Sequence, residues 1–181
     1  DLINVTQGEP IQYGNDWSFE EKLFDILETL KMYGFVKIVD EGVRPTLLGR
    51  RISELYIDPE TAFKIMKSIE KEEPALDFSY LQVISNSLEM EPLLNMKKGD
   101  FEFIEENLVR YEPHLLQKVP REWEVKYEQF MRSFKTALLL NEWIEEKSEE
   151  TILEKFGVRP GEIYMKIRNA DFAGSWYPGD A

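Results

Sequence analysis

The chain has 181 residues, with 22 Lys and Arg against 35 Asp and Glu, a formal net charge of −13, one histidine and no cysteine. Disulfides, cysteine-bound zinc and thiol catalysis are excluded, and binding of nucleic acid over the whole surface is disfavoured because phosphate contacts need clustered Lys and Arg. An apolar fraction of 43% and an aromatic fraction of 13% suffice for a core in one large domain or two small ones. No apolar run approaches the roughly 18 residues of a membrane span and the N-terminus has no signal-peptide layout, so a cytoplasmic protein with no membrane partner is expected.

Residues 1–16 show no clear period and carry Gly8, Pro10 and Gly14, which reads as a poorly ordered leader. Ser18 and Glu21 have the spacing of a capping box, and Phe19, Leu23, Ile26, Leu27 and Leu30 follow on one helical face that Gly34 closes. Phe35 to Val39 and Val43 to Thr46 flank Asp40-Glu-Gly42, the pattern of a β-hairpin with Gly in the turn. Helix then hairpin is the ending of a winged helix, with the hairpin as its wing. The earlier helices of a complete winged helix are not evident in the leader, so a partial one is expected over 17–56.

Leu47 to Tyr56 reads as a short helix or turn. Asp58 as N-cap with Pro59 at the first helical position starts a helix with Ala62, Ile65, Met66 and Ile69 inward, ending at Pro74. Asp77 begins another, with Tyr80, Leu81, Ile84 and Leu88 inward. Asp100 begins a third, with Phe101, Ile104, Leu108 and Tyr111 inward and Glu102, Glu105 and Glu106 outward. From Arg121 the longest helix is expected, its stripe formed by Trp123, Tyr127, Phe130, Met131, Phe134 and Leu138, with Ala137 to Leu140 apolar all round and central. Ser148 can cap a short helix from Glu149 to Phe156. Gly157 and Gly161 bracket Pro160, and a last helix restarts at Glu162. The fold class expected is therefore mainly α: a partial winged helix, a multi-helix bundle over 57–172, one small β-hairpin, and an irregular tail over 173–181.

No Gly-x-x-x-x-Gly-Lys-Ser/Thr loop occurs, so this sequence contains no ATP-hydrolysing motor of its own. Carboxylate pairs such as Glu145-Glu146 and Glu149-Glu150 are adjacent on helix ends and point to different faces, which does not suit acid-base chemistry. Glu142, Glu145, Glu146, Glu149, Glu150 and Glu154, relieved by Lys147, read as a solvated helix end and turn, with an acidic docking face as the alternative. His114, beside Pro113, reads as a loop residue, and no metal site is expected. The clearest basic patch lies over residues 31–51, which carry five basic and two acidic side chains. Arg44, Arg50 and Arg51 there either face phosphate or serve as solvated strand-edge charges that discourage edge pairing. Arg132 and Lys135, three residues apart, share a face of the long helix. Packing or a salt bridge is the favoured role for Lys135, and DNA contact the alternative.

Two long blocks carry a resemblance. Arg44-Pro-Thr-Leu-Leu-Gly-Arg-Arg-Ile-Ser-Glu-Leu-Tyr-Ile-Asp-Pro-Glu-Thr-Ala62 and the stretch Phe130 to Ile163, with its Phe134-Lys-Thr-Ala137 run, together resemble the archaeal Ski-type DNA helicases, the Holliday-junction-migration group of superfamily two. The resemblance covers roughly Trp17 to Phe172 and implies the accessory, non-motor part of such an enzyme. ATP and magnesium would belong to the motor domains of the parent family, with no cofactor in this chain. It implies single-stranded or forked DNA as partner, and motor domains of a helicase or a replication or repair protein as further partners. The roles implied are those of DNA repair and recombination. In that family the bundle surrounds the translocating strand. The helix after the Gly-Glu-Ile turn carries an arginine and, seven residues later, a tryptophan that stack on successive bases. Laid onto this chain from Gly161, those positions fall on Met165 and Phe172, with Lys166 and Arg168 beside them. The residues expected to contact DNA are thus Arg44, Arg50, Arg51, Arg132, Lys135, Lys166, Arg168 and Phe172. The alternative function is an acidic winged-helix module that binds protein and not DNA. Met165 to Tyr177 is also similar to the opening of Memo-family proteins through Ala173-Gly-Ser-Trp-Tyr177, but that family's site histidines are absent and no activity carries over.

Overall fold

The computed structural model describes residues 18–40, 42–70 and 75–174. The expected leader, the helix stop at Pro74 and the end of the tail lie outside them. The protein is mainly helical, an N-terminal helix and small hairpin followed by a multi-helix bundle, as the sequence pattern anticipates. It divides into two compact units between Arg51 and Ile52.

In the first unit α1 (Phe19–Met32) starts at Ser18, whose hydroxyl accepts from Glu21 N–H while the Glu21 carboxylate accepts from Ser18 N–H at 2.8 Å. The hairpin pairs β1 (Val36–Val39) antiparallel with β2 (Gly42–Pro45), in a register that sets Lys37 opposite Arg44. Thr46 ties the hairpin's base together: its hydroxyl donates to Gly34 O at 2.8 Å and accepts from Gly49 N–H at 3.0 Å. Gly49 opens the helix that follows against the carbonyl of Phe35, where a Cβ would collide with backbone. Phe35 is buried. The apolar stripe of α1 is not: no residue of that helix is buried, and Phe19 is 74% exposed.

The second unit holds the core. α2 (Leu47–Glu54) bridges the division and buries Ile52, and α3 (Pro59–Ile69) starts where Asp58 accepts from the amides of Glu60 and Thr61. α4 (Asp77–Ser85), α5 (Asp100–Tyr111), α6 (Tyr127–Ile144), α7 (Glu149–Phe156) and α8 (Pro160–Gly174) complete the bundle. α6 is its axis: Phe130, Met131, Phe134 and every residue from Ala137 to Leu140 are buried. Phe78 locks α4 to it, stacking on Tyr111 at 3.9 Å and meeting Phe134 edge-on at 5.2 Å.

Four local expectations need correction. α6 begins at Tyr127, not near Arg121, because residues 121–127 form two tight turns, Glu124 N–H to Arg121 O and Tyr127 N–H to Glu124 O. Trp123 consequently leaves the stripe and is 77% exposed, its ring under the Arg121 guanidinium. α4 buries Phe78, Ser79, Gln82 and Val83, while Tyr80 and Leu88 are exposed and Leu81 and Ile84 are half-buried. Two of its buried polar side chains find partners in the core: Ser79 Oγ donates to His114 O at 2.6 Å and Gln82 Nε2 to Ser133 Oγ at 3.0 Å, whereas Gln82 Oε1 and Ser85 Oγ are buried without one among the described residues. Phe101 is exposed at the first turn of α5, whose inward face is Ile104, Leu108 and Tyr111. The last helix runs through Ala173, which is buried, to Gly174, so the first two residues assigned to the tail complete α8.

Candidate nucleic-acid interface

α8 is set by its start and by one buried edge. Gly157 ends α7 in the left-handed conformation, φ 60°, and Lys97 Nζ caps that end by donating to Gly157 O at 2.6 Å. Pro160 then opens α8 with its ring-fixed φ, and the Glu162 carboxylate accepts from Arg159 N–H at 2.7 Å. Ile163, Lys166 and Ala173 face the core. The outward side carries Tyr164, Arg168 and Phe172, all exposed and four residues apart. At 1.5 Å rise per residue they stand about 6 Å from one another along the helix, a ring, a guanidinium and a ring in line.

The remaining cations expected on this surface are placed differently. Lys166 is buried, and its ammonium donates to Met90 O at 3.0 Å and to Pro92 O. Lys135 is buried too, bonding Asn95 O at 2.9 Å and pairing with Asp100 Oδ2 at 2.6 Å. Arg132, half-buried, donates to Leu93 O, Leu94 O and Asn95 Oδ1 at 3.1–3.3 Å. The helices thereby hold the irregular segment between Met90 and Asp100, whose Leu94 N–H also donates to Thr136 Oγ1. These three side chains serve the carbonyls of one unhelical stretch that has few backbone partners of its own. Burial pushes the Lys166 amine below its ordinary value of 10.5. Glu91 and Glu162 oppose that shift and Arg132 adds to it.

In the first unit Arg44 lies exposed on β2 directly opposite Lys37, and Arg50 and Arg51 are exposed on α2. The register thus sets two basic side chains side by side on the hairpin. Two members of these clusters escaped the residue list drawn from sequence. Lys37 was recognisable only through the register, and Tyr164 through the four-residue step to Arg168.

At the first-turn end of α8 the electrostatics reverse. Tyr164 meets Trp143 edge-on at 5.9 Å and its hydroxyl approaches Glu149 at 3.4 Å. Glu145, Glu146 and Glu150 are exposed around the α6–α7 turn, and Glu146 holds a left-handed φ of 58° there.

Residues 78–173, α4 to the end of α8, match the family described as archaeal helicase, domain 4. The chain belongs to that family. It is 37% identical over 161 residues to the ATP-dependent DNA helicase Hel308 of Pyrococcus horikoshii, an alignment covering 86% of this chain and 22% of the relative. It is 35% identical over 159 residues to Hel308 of Methanocaldococcus jannaschii, covering 88% of this chain and 12% of that protein. Hel308 of Pyrococcus abyssi is 35% identical over 161 residues, again 86% and 22%. The chain thus spans about a fifth or less of the length of these curated relatives. Of the two blocks that carried the resemblance in sequence, Phe130 to Ile163 lies within the matched residues and Arg44 to Ala62 lies before them.

Proposed function

We propose that this chain acts as a strand-contacting accessory region of a Hel308-type helicase, and that α8 is its contact element for single-stranded or forked DNA. The observation that carries the reading is the exposed line of Tyr164, Arg168 and Phe172. Rings and a guanidinium at helical spacing suit successive unstacked bases, because every base offers a π-face whatever its sequence. The stripe replaces an arginine–tryptophan pair seven residues apart with three groups four apart, so Arg168 supplies the cation that Met165 cannot. Lys135 and Lys166 position the surface from behind, by fixing the segment after Met90, and make no contact with the strand. In the first unit, Arg44 on the hairpin and Arg50 and Arg51 on α2 are the side chains that would contact phosphate. The motor domains of the same helicase, and proteins of replication or repair, are the protein partners that go with this reading.

The test is fluorescence anisotropy of labelled oligo-dT and of a forked duplex at low salt. Phe172→Ala should weaken binding by the equivalent of about 1–3 kcal/mol, and Tyr164→Ala similarly. Wild-type affinity should fall steeply as salt rises. A second reading, an acidic protein-binding module, is favoured by Glu149 beside Tyr164 and by the exposed carboxylates of the α6–α7 turn. Wild-type protein that leaves both DNA probes unbound at low salt would decide for it.

A further inference from the structure

The protein carries a net charge of −13, yet two exposed cations flank one contact within the bundle. The hydrogen bond from Lys97 Nζ to Gly157 O draws the loop before α5 against the connection between α7 and α8. Lys98 follows Lys97 on one side of this contact, and Arg159 lies two residues beyond Gly157 on the other. Both are exposed, and among the described residues neither side chain has an ion-pair or hydrogen-bond partner. Asp100 pairs with Lys135 and Glu142 with Lys155 at 2.5 Å, while Glu102 on α5 and Glu154 on α7 are exposed. Glu162 is held back against Arg159 N–H. Lys98 and Arg159 are thus two exposed cations, one on each side of the Lys97–Gly157 contact.

We infer that Lys98 and Arg159 form a phosphate-contacting corner that takes the sugar–phosphate backbone of a single DNA strand as it reaches α8. The inference rests on the proposed role of α8 and extends it. Arg159 immediately precedes Pro160, the first residue of α8, and so lies at the N-terminal end of the helix that carries Tyr164, Arg168 and Phe172. The corner contributes charge and no base contact, so it fixes where the backbone runs and is indifferent to sequence. It also keeps the strand off the carboxylates beside Tyr164. Lys97 is committed to Gly157 and sets the corner's shape.

The experiment compares wild type, the double variant Lys98→Gln/Arg159→Gln, and Phe172→Ala, titrating labelled oligo-dT over a range of salt concentrations. Thermal melts check that all three are folded. Losing two phosphate contacts should make the slope of log K against log salt shallower by about 1.4, since each contact to a single strand contributes about 0.7. Phe172→Ala should weaken binding while leaving the slope unchanged. A double variant with the wild-type slope, alongside a weakened Phe172→Ala, overturns the corner and leaves the role of α8 standing. Wild-type protein that does not bind at low salt overturns both.

Discussion

Lys135 and Lys166 lie inside the bundle because the segment from Met90 to Asp100 needs donors that its own backbone cannot supply. An amine on a flexible stem can reach two carbonyls at once, which offsets part of the cost of removing its charge from water. For Lys135 the balance also depends on Asp100. Removing one partner of a buried pair leaves a charge without compensation, so Asp100→Ala should destabilise the protein by about 3 kcal/mol, measured by urea denaturation. Lys135→Met, which removes the charge and keeps the volume, should cost clearly less. Lys166 gives a pH signature. Its folded value lies below 10.5, so between the two values the unfolded chain binds more protons than the folded one and stability rises with pH. The cost of burying the charge is full below the folded value and is relieved as pH climbs toward 10.5. The stability of wild type relative to Lys166→Met should therefore increase from neutral pH toward pH about 10. A difference that is flat or falling over that range would contradict the burial.

At the scale of elements, the ends of helices were legible and their inner faces less so. Ser18 with Glu21, Asp58 with Pro59, and Ser148 act through hydrogen bonds to their own next residues, so short-range sequence states them completely. Gly157, read from sequence only as flanking Pro160, ends α7 in the left-handed conformation. Replacing it with Ala puts a Cβ on a left-handed residue and against the Lys97 ammonium that caps α7. Gly157→Ala should cost about 1–2 kcal/mol in a urea titration, with Lys97→Ala in the same background adding less than it does alone. The face of α4 was hidden because Ser79 and Gln82 read as polar until their partners, His114 O and Ser133, are known, and these lie 35 and 51 residues away. The same limit hid Lys166, whose acceptors precede it by 74 and 76 residues. What contacts a distant segment cannot be inferred from the residue type, since Lys is nearly always outside. The stripe of α8 was half legible: Arg168 and Phe172 stood out as chemistry, whereas Tyr164 needed the helix's phase.

Over the whole molecule, apolar burial is unevenly distributed between the two units, and each must be considered alone. The bundle from Ile52 onward has a continuous core around α6. In the first unit Phe35 is the one buried apolar side chain among the described residues, while Phe19, Phe24 and Ile26 of α1 are exposed. Local opening requires little free energy where few apolar contacts are lost, and approaches the global cost where the core must be broken. Amides in α1 and the hairpin should therefore exchange with deuterium at least about 100-fold faster than those in the middle of α6. The hydrogen bonds from Thr46 to Gly34 and Phe35 should make the hairpin's base the slowest-exchanging part of its unit. Mild urea should erase protection in the first unit before it changes protection in α6, giving two transitions where a single cooperative domain would give one. Uniform protection across residues 18–51 and α6, lost in one step, would show that the exposed stripe of α1 does not weaken its unit.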